Sequence, residues 1–306
     1  MSEEEQTFEA GLLIERLTEI NSDRAYNHIN QHIGIRKVFN GWFQQVRKYA
    51  AILAVPLLLA LSYSLYLNFK PKNTETVAYE LICPVGIRSQ AILPDGTKVW
   101  LNAQSSIKYK LPFTQNERNI ELSGEAFFEV TKNTKSPFII HSQKTFVKVL
   151  GTKFDVKSYP DDDEIAVALE EGSVHFSTTD ADEKELQAIL KANDYLVFTK
   201  TDKKMSVMSG ENLEKFTSWR HNRLILDETP IQQVAVLLER WYGVKVEIVD
   251  QELMNYKFST TFDNVSISQV LELLEISSPL RIKYVPNNGI SGSNGSLNAK
   301  VFLYKK

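Results

Sequence analysis

The longest apolar stretch of the chain runs from Tyr49 to Phe69 and contains no charged residue. At about 1.5 Å of rise per residue, a helix of this length matches a hydrocarbon core about 30 Å thick. Such a helix satisfies its own backbone hydrogen bonds in lipid, whereas a helix of a soluble domain usually keeps a polar face. The pattern therefore predicts one transmembrane helix over residues 49–69.

Basic residues flank this segment unevenly. Those before it are Arg36, Lys37, Arg47 and Lys48, and those that follow closely are Lys70 and Lys72. An excess of Lys and Arg marks the cytoplasmic side of a single span. We therefore expect the N-terminus in the cytoplasm and the larger C-terminal part on the opposite side of the membrane.

Residues 1–48 form a polar segment whose apolar positions fall near helical spacing. These positions are Phe8, Leu12, Ile14, Leu17 and Ile20. So few large apolar side chains bury little core, so the segment is either a partly ordered tail or one that folds against a partner. His28 and His32 could share one helical face, but no third ligand stands at a suitable step, and we predict no metal site.

Between residues 77 and 209 the hydrophobic period changes to two. Short β-type runs lie at 99–101, 127–130, 138–140, 147–149, 165–169 and 174–176. Turn signals between them are Asp95-Gly96, Ser123-Gly124, Gly151-Thr152 and Glu171-Gly172. This alternation predicts an all-β domain of solenoid-like or sandwich-like form. The acidic segments 161–164 and 180–185 lack the ligand spacing of a calcium loop, so we interpret them as solvated turns.

Residues 219–306 contain an internal duplication. The segments PIQQVAVLLE, at 230–239, and SISQVLELLE, at 266–275, match at six of ten positions with an offset of 36 residues. Each copy has the pattern of a strand, a helix and a strand, which predicts an α+β domain of two βαβ units in the order βαββαβ. A last strand is expected at Ala299–Tyr304, after a loop rich in Gly, Ser and Asn.

Capping signals mark the ends of the two duplicated helices. Thr229 is placed to cap the first helix before Pro230, and Gly243 is placed to end it. Ser266 and Gln269 have the spacing of a capping box at the start of the second helix.

Composition narrows the function class. The chain has 306 residues and a formal net charge of −3, which argues against a nucleic-acid surface. Its one cysteine, Cys83, cannot form an internal disulfide, and we expect it to be a small buried residue. The five histidines are scattered, and no nucleotide-binding or nucleophile motif occurs. We therefore predict a protein that is not an enzyme and needs no cofactor.

Five sequence motifs follow one another in the middle region of the chain. They are LPDGTKVWLNAQSSIKY (93–109), ELSGEAFFEV (121–130), SPFII (136–140), VLGTKFDVKSY (149–159) and LEEGSVHF (169–176). In this order they resemble the FecR family of single-pass anti-sigma factors, or sigma regulators, of bacterial cell-surface signalling. The segments ERWYGVKVEI and YKFSTTF resemble the C-terminal domain that accompanies FecR domains in Bacteroidetes-type proteins. One departure lies near Asn193, where the family usually has glycine, but asparagine also tolerates positive φ and we expect the turn to persist.

The resemblance implies a bacterial inner-membrane location, with the N-terminus cytoplasmic and the C-terminus periplasmic. It also implies that residues 1–48 hold an ECF sigma factor, and the partner-facing residues we predict are Leu12, Leu17, Ile20, Phe39 and Trp42. The signal would cross the membrane in one of two ways. Either the outer part and then the span are cut by proteolysis, the span by a site-2-type intramembrane protease, or the helix undergoes a rigid shift.

The C-terminal domain is similar in layout to the signalling domain of TonB-dependent receptors. If the last strand lies at a sheet edge, it could pair with a receptor's signalling domain by β-augmentation, and if it is fully paired within its own sheet, it could not. The residues assigned to this contact are Ala299, Val301, Phe302, Leu303 and Tyr304. The resemblance does not define the receptor's ligand, which could be an iron chelate or a glycan.

Gly151-Thr152 is the one place in the sequence where a covalent reaction of the chain itself is to be considered. Some members of the family resemble self-cleaving proteins that cut a Gly-Thr bond by an N-to-O acyl shift, with the threonine as nucleophile. The alternative, which the sequence favours, is a turn glycine followed by a strand threonine.

A second function class is an envelope transport or scaffold protein with one membrane helix and a periplasmic lipid-passing β-domain. Such a protein usually needs only a few cytoplasmic residues, whereas this chain places about 48 before the apolar stretch. It also has no need for a duplicated βαβ domain. The sequence therefore favours the signalling class.

Overall fold

The structure is a computed structural model that describes residues 39–69, 76–114, 116–179, 184–210, 212–286 and 299–306, together with Gly11 and Asn27. For residues 39–48, 51, 53 and 67–69 it describes the backbone only. The chain divides into two compact units, Met1–Asn73 and Thr74–Lys306. The predicted tail residues Leu12, Leu17, Ile20, His28 and His32 lie outside the described residues.

The first unit contains one long helix, α1, from Phe39 to Phe69. It is 31 residues long, includes the apolar stretch 49–69 and has Pro56 in its interior. Counted over the described residues alone, none of the helices is long and apolar enough to cross a membrane. The helical conformation is therefore confirmed, and the membrane span stays a prediction.

Residues 77–209, which we call the β-domain, contain thirteen strands. They are β1 Val77–Cys83, β2 Ser89–Ile92, β3 Lys98–Leu101, β4 Ser105–Leu111, β5 Arg118–Glu129, β6 Phe138–Ser142, β7 Thr145–Val149, β8 Lys153–Ser158, β9 Glu164–Glu171, β10 Ser173–Thr179, β11 Glu185–Lys191, β12 Asp194–Thr199 and β13 Lys204–Ser209. All neighbours pair antiparallel except β5 and β6. The predicted all-β class is confirmed, and antiparallel pairing excludes a solenoid of parallel coils.

Strand β5 connects the two halves of the sheet. Its first half pairs with β4 and β6, and its second half pairs with β3 and β8. The change occurs at Gly124, whose φ is +101° and where a Cβ atom would lie 2.7 Å from the Cα of Ser105. The prediction of a turn at Ser123-Gly124 is therefore wrong, because this glycine lets one continuous strand bend beside a close neighbour.

The bent sheet encloses one apolar core. Its fully buried large side chains include Phe128, Phe138, Phe154 and Phe176, and Cys83 is buried at its border as predicted. Asn193 adopts a φ of +68° in the turn between β11 and β12, and its N–H donates to the Leu169 carbonyl. The expected tolerance of asparagine at this turn is thus confirmed.

The rest of the second unit, from residue 212, forms the C-terminal domain. It starts with α2 at Glu214–Thr217 and a 3₁₀ turn at Ser218–His221. The further elements are β14 Arg223–Pro230, α3 Ile231–Tyr242, β15 Lys245–Ile248, a 3₁₀ turn Gln251–Asn255, β16 Lys257–Asp263, α4 Ile267–Ser277, β17 Leu280–Val285 and β18 Lys300–Lys305. The predicted strand, helix, strand order of both copies is present.

The two copies share their strands between two sheets. The first strands, β14 and β16, pair antiparallel, while the second strands, β15 and β17, lie on either side of β18. Neither copy therefore forms a closed βαβ unit of its own. The apolar faces of α3 and α4 pack into one cluster, with Leu238 and Val270 fully buried.

The capping predictions have different outcomes. The box formed by Ser266 and Gln269 is present, and Gly243 ends α3 with a φ of +68°. Pro230, not Thr229, occupies the N-cap of α3 and supplies no side-chain cap. The Thr229 prediction is wrong because its hydroxyl instead accepts the Asp227 N–H and closes a local turn.

Candidate functional site

The sigma-binding residues predicted within α1 lie at its start. Phe39 is the first residue of the helix, and Trp42 lies in its first turn. Their side chains are not among those described, so the partner-facing set stays a prediction.

The predicted receptor-binding strand is β18, and it does not lie at an edge. Lys300–Leu303 pairs parallel with β15, while Lys300–Lys305 pairs antiparallel with β17. Both hydrogen-bonding edges of β18 are thus used within its own sheet. The structure thus shows the second alternative, a strand fully paired within its own sheet, which leaves no backbone edge for β-augmentation along Ala299–Tyr304. The assignment of these residues to a receptor contact stays a prediction.

Gly151 and Thr152 connect β7 to β8. The Thr152 hydroxyl is buried and donates to the Ser173 carbonyl at 3.1 Å, and the Thr152 carbonyl accepts the Val130 N–H at 3.0 Å. A Cβ atom on Gly151 would lie 2.7 Å from the Cα of Lys132, so only glycine fits here. These contacts fit the interpretation of the pair as a turn glycine followed by a strand threonine, and self-cleavage stays the alternative.

A cluster of polar and charged side chains lies where the C-terminal domain packs on β3, β5 and β8, a surface we call the junction. Phe127 of β5 is fully buried among the apolar residues of the C-terminal domain, and Trp100 of β3 packs against the same cluster. The two rings meet edge to face, with centroids 5.8 Å apart. The junction is therefore built on shared apolar core.

Arg240 of α3 holds the loop after β8 at the junction. Its guanidinium donates to both carboxylate oxygens of Asp162, at 2.6 and 2.9 Å, and to Asp161 at 3.0 Å. It also lies 3.7 Å from the ring centre of Tyr159. Residues 161, 163 and 164 are exposed, as expected of a solvated turn, whereas the Asp162 carboxylate is held by a buried arginine.

The pKa values of this ion pair follow from its contacts. Burial opposes the charge on Asp162, but the hydrogen bonds and charges of Arg240 and Lys157 outweigh it and lower the pKa of the carboxyl. Burial acts against Arg240 as well, and the Asp162 carboxylate more than compensates and raises the arginine pKa. Both groups are therefore held in their charged forms.

Two further arginines cross the junction over aromatic rings. Arg88 of the β-domain lies 3.9 Å from the ring centre of Trp241 and donates to the Asn222 side chain at 3.2 Å. Arg220 lies 3.5 Å from the ring centre of Phe127 and donates to Glu170 at 2.5 Å. Together with Arg240, they form three cation–π contacts between the domains, each of which orients the partners as well as attracting them.

One buried carboxyl group, that of Asp155, and one partly buried carboxyl group, that of Glu125, lie beneath these contacts. Asp155 of β8 is 2% exposed and accepts the indole N–H of Trp219 at 3.1 Å, while Glu125 of β5 accepts the Asn102 amide at 2.7 Å. Burial raises the pKa of Asp155 well above its ordinary value, and the charge of Glu125 adds to this. Burial likewise raises the pKa of Glu125. Burial therefore opposes the ionisation of both carboxyl groups.

A cavity of 580 Å³ opens beside the cluster. Its lining includes Lys157, Tyr195, Arg240 and Trp241. No group of three or more potential metal ligands occurs among the residues that the structure describes. Arg240 and Arg220 pair with carboxylates across the junction, while Arg88 and Asp155 contact uncharged side chains. These contacts join the two domains.

Sequence reasoning missed the junction. Its residues come from segments as far apart as residues 88 and 241, and no single stretch shows that they meet. One local signal was available, because Arg240 interrupts the apolar end of α3 between Leu238 and Trp241. A charge at that position is typical of a buried ion pair.

Comparison with known proteins agrees with this architecture. The family model described as "FecR protein" matches residues 81–175, and the model described as "FecR, C-terminal" matches residues 223–291. None of the curated proteins matches the chain.

Two solved structures, both of a candidate anti-sigma factor from Parabacteroides distasonis, are similar to this chain. The 1.65 Å structure is 30% identical, with a TM-score of 0.63, over 74% of this chain and 99% of its own. The 2.50 Å structure is 29% identical, with a TM-score of 0.62, over 75% of this chain and all of its own.

A bent β-domain joined to a duplicated α+β domain is the architecture that both family models and both solved structures share with this chain. This chain belongs to the FecR family of anti-sigma factors. Membership implies a sigma factor as partner in general, and such proteins generally bind rather than catalyse.

Proposed function

We propose that this protein is a single-pass inner-membrane anti-sigma factor. Residues 1–48 would hold an ECF sigma factor in the cytoplasm, and the β-domain and C-terminal domain would receive a signal from a TonB-dependent outer-membrane receptor. The observation that carries the proposal is FecR-family membership in a chain that divides into a small N-terminal unit and a large C-terminal one. Each unit then has one partner on its own side of the membrane.

The membrane assignment is supported by the sequence of residues 49–69, which carries no charge, and by their helical backbone. Fusions of alkaline phosphatase and green fluorescent protein to each end test it. We expect phosphatase activity only at the C-terminus and fluorescence only at the N-terminus. Phosphatase activity at both ends would exclude a single span.

Sigma-factor binding is tested with residues 1–48 as bait and each purified ECF sigma factor of the host as prey. We expect one sigma factor to co-purify, and Trp42→Ala to weaken its binding at least tenfold, because aromatic anchors carry much of an interface's energy. The matched control is Tyr26→Ala, an aromatic outside the predicted set, which should change binding less than twofold. If no sigma factor binds the wild-type segment, the proposal is wrong.

The relay is proposed to be stepwise proteolysis of the periplasmic part and then of the span by a site-2-type intramembrane protease. A single helix transmits a small shift poorly, whereas cleavage removes the anchor altogether. Pro56 supports this route, because it removes one backbone hydrogen bond within α1 and weakens the helix locally.

A further inference from the structure

The three-stranded sheet of the C-terminal domain has one covered face and one open face. In β18, Val301 and Leu303 are 0% and 1% exposed and pack in the apolar cluster with α3 and α4. Side chains alternate along a strand, so Phe302 and Tyr304 lie on the opposite face, where both are partly exposed. The central strand therefore presents two aromatic rings away from the core.

The strand register places charged residues on both sides of these rings. Phe302 lies opposite Glu247 of β15 and Lys283 of β17, and Tyr304 lies opposite Arg281 of β17. Lys300, two residues before Phe302, lies opposite Lys245. We call this surface the aromatic-basic face, formed by Lys245, Glu247, Arg281, Lys283, Lys300, Phe302 and Tyr304.

The charge of this face differs from that of the chain. It has four basic side chains and one acidic one, while the whole chain has a net charge of −3. Lys300 pairs with Glu247 at 3.5 Å, and Lys245 pairs with Glu239 at 3.1 Å. Arg281 and Lys283 are exposed and pair with no carboxylate among the described residues. The β17 side of the face thus presents positive charge that its own domain does not neutralise.

Aromatic anchors inside a charged rim are typical of protein interfaces. Phe and Tyr are enriched in interface cores with Arg, and a rim of one sign selects a partner of the opposite sign. Because β18 has no free backbone edge, a partner must be recognised by side chains on this face.

We propose that the aromatic-basic face docks an acidic surface of a folded partner domain. The inference rests on the proposed function, under which that partner is the signalling domain of the receptor. Phe302 and Tyr304 fill apolar positions of the contact, and Arg281 and Lys283 pair with partner carboxylates.

The test uses the full chain in detergent micelles and, as probes, the purified N-terminal signalling domains of the host's TonB-dependent receptors. Binding is measured by biolayer interferometry at 50 and 500 mM salt. The variant Arg281→Glu/Lys283→Glu should raise the Kd at least tenfold, and Phe302→Ala should do the same at both salt concentrations. Binding of the wild type should weaken as salt rises, because exposed charges are screened.

The control is Lys110→Glu/Lys204→Glu, which changes the net charge equally at two exposed lysines of the β-domain. It should change the Kd less than twofold. Because Phe302→Ala could disturb the sheet, the test of the docking face depends on Arg281→Glu/Lys283→Glu. The circular dichroism and unfolding midpoint of this variant should match those of the wild type. Replacement of the partner's carboxylates by lysine should restore binding to Arg281→Glu/Lys283→Glu.

The outcomes separate this inference from the proposed function. If one signalling domain binds the wild type and both charge-reversal variants equally, the aromatic-basic face is not the docking surface, while the receptor remains the partner. If no signalling domain binds the wild type, the receptor part of the proposed function fails, and the docking face fails with it.

Discussion

Arg240 and Asp162 form the most buried ion pair across the junction. The Arg240 side chain is 8% exposed and that of Asp162 is 16% exposed. A buried pair of this kind contributes little more than a well-packed apolar pair would, but loss of one partner leaves a charge buried without compensation. The effect of substitution should therefore exceed that of an exposed ion pair.

Replacement of Arg240 by alanine should lower the free energy of unfolding of residues 74–306 by about 3 kcal/mol, because Asp162 loses both hydrogen bonds to Arg240 and keeps only Lys157, at 3.4 Å, as a charged partner. Urea unfolding at pH 7 measures this. The matched control is Arg223→Ala, which removes exposed pairs with Glu214 and Asp263, whose side chains are 49% and 67% exposed. It should cost less than about 1 kcal/mol. Equal losses in the two variants would contradict the role of Arg240.

Asp155 gives the junction a pH dependence of definite sign. Burial, aided by the charge of Glu125, raises its folded-state pKa, so the folded protein keeps a proton that the unfolded chain loses. From the ordinary carboxyl pKa upwards, stability therefore falls as pH rises through the folded-state value. Asp162 acts oppositely at lower pH, because its lowered pKa contributes stability that is lost as pH falls.

Asp155→Asn should flatten the pH dependence above the ordinary carboxyl pKa and make the protein at least as stable as the wild type at pH 7. The asparagine oxygen can still accept the Trp219 N–H, while the buried charge is gone. The measurement is the free energy of unfolding at pH 4, 5.5 and 7. An unchanged slope would mean that Asp155 does not titrate in this range.

At the scale of elements, β5 decides the shape of the β-domain. It is the longest strand, 12 residues, and pairs with four others. Gly124 lies where its partners change, and a Cβ atom there would approach the Ser105 Oγ to 2.3 Å. A bend at this point lets one strand serve both halves of the sheet.

Gly124→Ala should lower the free energy of unfolding by about 3 kcal/mol, because its φ is +101° and the neighbouring backbone leaves no space. Gly210→Ala is the control. Gly210 also has positive φ, +75°, but nothing lies within 4 Å of a Cβ atom there. Its substitution should cost about 1 kcal/mol. Comparable losses would show that the positive φ alone, and not the close contact with Ser105, makes glycine necessary at position 124.

At the scale of the molecule, the junction joins the β-domain and the C-terminal domain into one compact unit, Thr74–Lys306. The apolar cluster of the C-terminal domain includes Phe127 of the β-domain, so the C-terminal domain does not complete its core alone, whereas the core of the β-domain is built from its own residues. Packed side chains therefore connect the two domains directly.

Residues 74–306 should unfold in one cooperative transition. Tryptophan fluorescence reports the junction, since Trp100, Trp219 and Trp241 lie there, and far-UV circular dichroism reports the whole sheet. The two urea transitions should coincide in the wild type. Separate transitions in the wild type would mean that the domains are independent.

The sequence by itself determined features that repeat at short range. Period-two alternation defined the all-β class of residues 77–209, the offset of 36 residues revealed the duplicated strand, helix, strand units, and the capping box identified the start of α4. The family motifs could be read for the same reason, because each lies within one continuous stretch. The membrane span and the sigma-binding residues stay predictions from that same sequence.

Only the tertiary structure decided which distant residues meet. It placed β18 between β15 and β17, bent β5 at Gly124 where a turn was expected, and joined Arg240 to the acidic loop at 161–162. Strand order depends on long-range pairing, and an ion pair depends on which surfaces pack together. Neither leaves a local periodicity in the chain, because the interacting residues are separated by tens of positions and are selected by the fold as a whole.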